Sequence, residues 1–403
     1  MIAHLLKIIW KRKSRNLLLM LEIALAFVLV FAVVAFAARS AQLYRAPLGF
    51  ASDDVWAIQL QVPDYEALRA NPAPLDEIQR SLKQMPQVQE VALVNHSPYS
   101  NSTNGAGFSP APGAHRVASY LVHASDTFAA VLSMPLAEGR WFTAADAGDV
   151  MPAVVNRRMA HALFPDIPAG ESVVGRTFVY DEDSDPNRKR FRITGVVQDY
   201  RDGGEFMTPV NFALLRFNPT PGTDLPLTVM IKLKAGTPRA FEAELIGRLK
   251  QLRSQWSYQI APLADLRTDV LRMVLVPLGV VAVIAAFMLL MVGFGLFGVL
   301  WQNTTLRIPE IGLRRAVGAR ATQLYRQIVA EQLLLCSLAM LLALLLLVQL
   351  PLTGLLGEGL NWPVFGIATL CTAAVLWVVS LLSALYPAWQ ASRLPPAAAL
   401  HCE

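Results

Sequence analysis

Glu310 and Arg314 stand four residues apart in a short charged stretch, Thr305-Leu306-Arg307-Ile308-Pro309-Glu310-Ile311-Gly312-Leu313-Arg314-Arg315-Ala316-Val317-Gly318-Ala319-Arg320, between two long apolar runs. On a helix that spacing and order favour an ion pair, while Leu313 and Val317 share another face able to dock on an apolar surface. Pro309 suits the first helical position, Glu310 complements the positive end of the dipole, and Gly318 is placed to end the helix. The predicted element is a compact two-turn helix. It is too polar to span a bilayer, and its charge alone would also suit a solvated loop that sets topology.

Catalytic patterns are missing from the rest of the chain. No G-x-x-x-x-G-K-[ST] occurs, so ATP is not expected to bind here in the P-loop manner. H-E-x-x-H, C-x-x-C and G-x-S-x-G are absent as well, and the six histidines are scattered singly. No enzyme, metal site or cofactor is expected in this chain. Asp181-Glu182-Asp183-Ser184-Asp185 has the alternating acids of a calcium loop, but Pro186 stands where a glycine is needed and Arg192 where a glutamate is needed. A solvated hairpin between Tyr180 and Phe191 is the better expectation. Gly293-Phe294-Gly295-Leu296-Phe297-Gly298 matches a dinucleotide string but lies inside an apolar run, where small residues permit close helix packing instead.

Of the 403 residues 54% are hydrophobic, yet a long middle region has ordinary polarity, which predicts a membrane protein with one sizeable aqueous domain. The net charge of +5 concentrates beside apolar runs, so nucleic acid is not an expected partner, whereas membrane lipid is. The three cysteines, Cys336, Cys371 and Cys402, all fall outside the aqueous domain, leaving no disulfide framework there.

Four membrane helices must position the charged stretch. Residues 1–16 read as an amphipathic helix at the headgroups, with Ile2, Leu5, Leu6 and Ile9 on one stripe. The first span, 17–38, covers about 33 Å at roughly 1.5 Å per residue, which favours an uncleaved span over a signal peptide. Glu22 lies inside it, read as a snorkelling or ion-paired group. The second span, 272–301, continues a stalk helix from near Leu263; a coupling loop, 302–327, precedes the third, 328–350, with Thr322 as its cap and Glu331 near its start. A turn at 351–363 leads to the fourth, 364–386, with Trp362 and Trp389 as interfacial anchors, and a tail at 387–403. Basic residues (Lys7, Lys11, Arg12, Lys13 and Arg15; Arg307, Arg314, Arg315, Arg320 and Arg326) place both termini in the cytoplasm and 39–271 outside it.

Within 39–271 the outer segments read strand 55–62, helix 75–85, strand 88–94, then strand 227–233, helix 239–253, strand 256–260. This predicts an α+β domain on a ferredoxin-like split βαβ base. Residues 95–113 read as a mobile loop, and an insertion at about 114–218 reads as a strand-rich subdomain with strands at 115–123, 172–180, 191–197 and 211–217.

Glu310-Ile311-Gly312-Leu313-Arg314-Arg315-Ala316-Val317-Gly318-Ala319, with Gln327 and Glu331 following, resembles the signature of the FtsX/MacB-type permease family of ABC transporters. Phe128 through Phe142, Val154-Val155-Asn156, Leu163-Phe164-Pro165 and Ile193-Thr194-Gly195-Val196-Val197-Gln198-Asp199 resemble its periplasmic core domain, and Tyr386-Pro387-Ala388-Trp389 through Leu400 its C-terminal motif. The resemblance implies a bacterial inner-membrane permease that passes motion from a separate ATPase, which binds ATP and Mg, to a periplasmic domain, for export of a drug, peptide or lipid-linked cargo. It also implies that Pro309, Glu310, Ile311, Gly312, Leu313, Arg314, Arg315, Val317 and Gly318 couple to that ATPase. A non-transporting transducer of a cell-wall hydrolase is the alternative. An ATPase dimer calls for a second permease, identical or a paralogue; a periplasmic adaptor and an outer-membrane channel are further implied partners. Pro309 stands where members carry a basic residue and Ala398 where they carry an acid, departures that suit one member of a non-identical pair.

Overall fold

The computed structural model describes residues 13–100, 102–168, 170–181, 189–217, 225–308, 311, 313–314, 317–355 and 357–393. The chain divides into a strand-rich unit, Leu43–Val274, and a helical unit made of the remainder. Helix α1 (Lys13–Arg45) comes first. The strand-rich unit opens with β1 (Val55–Gln61), α2 (Tyr65–Ala70), α3 (Ala73–Lys83) and β2 (Val88–Val94). Then follow β3 (Asn104–Ser109), β4 (Val117–Ala124), α4 (Phe128–Val131), β5 (Leu136–Gly139), β6 (Met151–Asn156), α5 (Arg157–Leu163), β7 (Thr177–Tyr180), β8 (Arg190–Val197) and β9 (Phe212–Arg216). It closes with β10 (Thr228–Leu233), α6 (Phe241–Leu252) and β11 (Ser257–Pro262).

Strands β11, β1, β10 and β2 lie side by side in that order, each pair antiparallel, which is the ferredoxin-like arrangement. Successive side chains of β1, β10 and β2 point to opposite faces, and apolar residues go to both. Trp56, Ile58, Leu60, Val91, Leu93, Val229 and Ile231 face α3 and α6, which present Leu75, Ile78 and Leu82, and Phe241, Leu245 and Leu249, at helical spacing. The intervening Val55, Ala57, Ala92, Val94 and Met230 face a second core shared with Phe128, Leu132, Tyr200 and Leu214. Both faces are covered, so neither needs polar residues.

The other strands close into a ring. The order β4-β3-β7-β8-β6-β9 returns to its start because β9 pairs with β4, parallel, over Tyr120↔Phe212 to Ala124↔Arg216. A closed ring has no free edge to aggregate. Phe108, Phe178, Phe191, Ile193, Ala153, Val155 and Leu215 fill one core, with Met159, Ala160 and Leu163 of α5 packed into it. The ring begins at Asn104, ahead of the expected 114, and the loop expected over 95–113 contains β3. Gly105, Gly107 and Asn104 argue locally against a strand, but β4 and β7 supply ladder partners on both sides and Phe108 becomes fully buried. The tertiary pairing overrides the propensity. Asn101 and the 182–188 part of the expected hairpin lie outside the described residues.

Gly49 decides how the chain leaves α1. Its φ is +87°, and a Cβ there would collide with the carbonyl oxygen of Asp199. Gly49→Ala should therefore lower stability by at least the ~1–3 kcal/mol of a strained backbone, read as a lower urea midpoint for the strand-rich unit. An unchanged midpoint would exclude the collision.

Among the described residues four helices are long and apolar enough to cross a membrane: α1, α7 (Leu263–Thr305), α8 (Ala321–Leu347, continued by α9, Gln349–Thr353) and α10 (Trp362–Arg393). Helix α7 starts at Leu263, where the stalk was expected, and α1 runs on past residue 38 to Arg45. Ile23, Phe27 and Phe31 of α1 pack with Cys336, Ala339 and Ala343 of α8 and with Val364, Phe365 and Ala368 of α10. The small residues bring backbones close, and hydrogen bonds cross between helices: Gln332 Nε2 donates to Ser380 Oγ at 3.2 Å and Ser383 Oγ to the Gly293 carbonyl at 3.0 Å. A Cβ at Gly295 would collide with the Glu22 carboxylate and one at Gly293 would touch Val379 and Ser383, whereas one at Gly298 would meet no neighbouring helix within 4 Å. Thr322 is not the cap of α8. Arg320 holds that position, its backbone N–H donating to Gln323 Oε1 at 3.2 Å, because the chain is already extended at Arg320 and helical by Thr322.

Candidate functional site

The segment between α7 and α8 keeps helical hydrogen bonds where it is described: Ile311 N donates to Arg307 O at 2.9 Å and Val317 N to Leu313 O at 3.1 Å. Gly318 has φ +103°, and Ala319 N donates back to Arg314 O at 3.0 Å, the bond of a helix closed by a left-handed glycine. The expected helix end at Gly318 is thus present. Pro309, Glu310, Gly312, Arg315 and Ala316 lie outside the described residues, so the expected Glu310–Arg314 pair does too.

Apolar packing holds this segment on α8. Ile311 is 6% exposed and forms a small core with Leu324 and Ile328. On the opposite side Leu313 and Val317 are 59% and 83% exposed. Together with Arg314, Ala319, Gln323, Leu324 and Gln327 they line an open groove of about 430 Å³. Two large apolar side chains left in the open beside a shallow groove are the pattern of a surface that another protein covers.

A polar chain runs behind that groove. Arg314 Nη1 donates to Gln327 Oε1 at 3.2 Å, Gln327 Nε2 to Glu331 Oε1 at 3.0 Å, and Arg307 Nη1 to Glu331 Oε2 at 2.6 Å. Both members of the Arg307–Glu331 pair are largely buried, with side chains 19% and 14% exposed. The chain thus ties this segment to α8 and, through Arg307, to the end of α7. Beside it lies a smaller pocket lined by Asn303, Thr304, Arg307, Glu331 and Gln332. Sequence reasoning missed this pairing: Arg307 read as a topology charge, and Glu331 as part of the family signature near the start of the third span with no partner named. Their separation of 24 positions crosses a turn, and no local periodicity signals such a contact.

Among the described residues no group of three histidine, cysteine, aspartate or glutamate side chains could hold a metal.

Comparison with known proteins decides the family. A model of the MacB-like periplasmic core domain matches residues 17–247, and one of the FtsX-like permease C-terminal matches 282–396. The chain belongs to the FtsX/MacB-type permease family of ABC transporters. Among FtsX/MacB-type relatives, the pyoverdine export ATP-binding/permease protein PvdT of Pseudomonas syringae pv. tomato is 24% identical over 98% of this chain and 58% of its own length. A macrolide export ATP-binding/permease protein MacB of Syntrophobacter fumaroxidans is 38% identical over 30% of this chain and 17% of its own. The MacB of Rhodopseudomonas palustris is 25% identical over 68% and 42%. The chain therefore spans at most 58% of these relatives' length. The crystal structure of the periplasmic region of MacB from Actinobacillus actinomycetemcomitans aligns with 57% of this chain and 97% of its own, at 14% identity and a TM-score of 0.38.

Proposed function

We propose that this permease carries motion from a separate ATPase to an extracytoplasmic domain, and that the work done is export. The exposure of Leu313 and Val317 on a segment fastened to both α7 and α8 carries this reading, since a force applied there reaches two membrane helices at once. ATP and Mg are held by the ATPase. Its dimer offers two docking surfaces, so the assembly holds two permeases, a second copy or a paralogue. The basic residues flanking α1 and preceding α8 set the termini in the cytoplasm of a bacterial inner-membrane protein and the strand-rich unit in the periplasm. There an adaptor and an outer-membrane channel are the fitting partners for a drug, peptide or lipid-linked cargo.

A charge at the centre of an apolar contact costs several kcal/mol when it is buried without a partner. Leu313→Glu with Val317→Glu should therefore cut co-purification of the ATPase at least ten-fold, while the permease stays folded and inserted. A cysteine placed at exposed Ser102 should react with an impermeant reagent on intact cells. Undiminished ATPase recovery would remove the docking assignment, and protection of the cysteine would reverse the topology.

A further inference from the structure

The loop that follows β8, residues 199–207, is charged and aromatic, and much of it is buried. Arg201 is fully enclosed. Its Nη2 donates to the Ala46 carbonyl at 2.9 Å and its Nη1 to the Leu43, Glu205 and Met207 carbonyls at 3.1, 3.3 and 3.2 Å. Leu43 and Ala46 are at the end of α1, where a helix leaves carbonyls without intrahelical partners and its dipole favours a cation. Burial pulls the guanidinium below its ordinary pKa, opposed by the nearby Asp199 and Glu205 carboxylates. On the outer side of the same turn Phe206 meets Tyr44, ring centres 6.1 Å apart.

The loop's other flank holds α7. The buried carboxylate of Glu205 pairs with Arg267 of that helix. Gly204, with φ +92°, sits where a Cβ would collide with the Tyr99 ring and touch Val270 of α7, so the loop can lie here only as glycine. The loop is anchored a third time on the stretch leaving β2. Tyr99 N donates to Asp202 O at 2.6 Å, and His96 Nε2 lies 3.2 Å from Asp202 Oδ2.

We propose that residues 199–207 fasten the last turn of α1 and the first turns of α7 into one rigid block, with Arg201 and Arg267 as the positioning residues. This rests on the reading of the chain as a transmitter of motion: two helices that enter the strand-rich unit separately deliver one displacement only if their ends cannot slide past each other. A planar guanidinium reaching four carbonyls from two segments resists such sliding better than a single ammonium, because its donors are fixed in one plane.

The test uses the full chain with its cysteines replaced, spin-labelled at Arg45→Cys and Asp269→Cys, both exposed positions. The parent should give one narrow distance distribution. Arg267→Met should at least double its width and Arg267→Lys should restore it, whereas an unchanged width in Arg267→Met overturns the fastener. Arg267 is partly exposed, so this variant folds even where a change at the enclosed Arg201 does not. With the ATPase bound, the parent distance should be the same without nucleotide and trapped with ADP and vanadate; a shift overturns the single block. Failure of any ATPase to bind would sink the transmitter reading alone, because the first measurement needs only this chain.

Discussion

Arg307→Met should lower the stability of the helical unit by about 3–5 kcal/mol, the usual cost of stranding one member of a buried ion pair. The substitution leaves Glu331 without its cation, with the Gln327 amide still donating to it, in a pocket lined by Leu19, Ile328 and Leu335 as well as Asn303, Thr304 and Gln332. The double change Arg307→Met with Glu331→Met removes both charges together and should come within about 1–2 kcal/mol of the parent, since well-packed apolar replacements of a buried pair are often neutral or better. Thermal unfolding in detergent reads both. The sign of the difference is decisive: a double variant weaker than Arg307→Met would mean that Glu331 is not stranded by the loss of Arg307. A loss below about 1 kcal/mol would place it with ordinary surface pairs. Because Gln327 also holds Arg314, the destabilised variant should also loosen the segment between α7 and α8, seen as faster amide exchange over 317–327.

Phe108→Ala should cost the strand-rich unit about 3–5 kcal/mol. The ring is fully buried and meets Phe178, Tyr180 and Phe191 edge-on at 5.4, 5.5 and 5.9 Å between centres. Each such pair adds roughly 0.5–1.5 kcal/mol beyond area burial. A closed ring cannot collapse around the hole without breaking strand pairing, so relaxation recovers little. Phe108→Leu should lose only about 1–2 kcal/mol. The measurement is the urea midpoint of amide protection in β3, β4 and β7 of the full chain. Equal midpoints for Phe108→Ala and parent would show that the aromatic cluster is not the ring's core.

Much of the fold is legible locally because its signals are local. Apolar runs longer than a bilayer needs mark α1, α7, α8 and α10, since a bilayer core tolerates few other helices. The ferredoxin-like base shows through alternating apolar strands and the 75, 78, 82 spacing of α3, because a βαβ unit writes each element's buried face at its own period. The helix end at Gly318 was readable from residue type alone, as only glycine adopts that φ without strain.

The tertiary structure decided the rest. Closure of the ring depends on β9 returning beside β4 across some ninety residues of sequence, and a parallel pairing leaves no turn signal to find. Strand β3 is glycine-rich and becomes a strand only because two neighbours bond to it. The same holds for the charges. Arg307 found Glu331, Arg201 the end of α1, and Glu205 Arg267. A charged residue announces in sequence that it needs either water or a partner, but which of the two it receives is set by what the packed helices and strands bring against it.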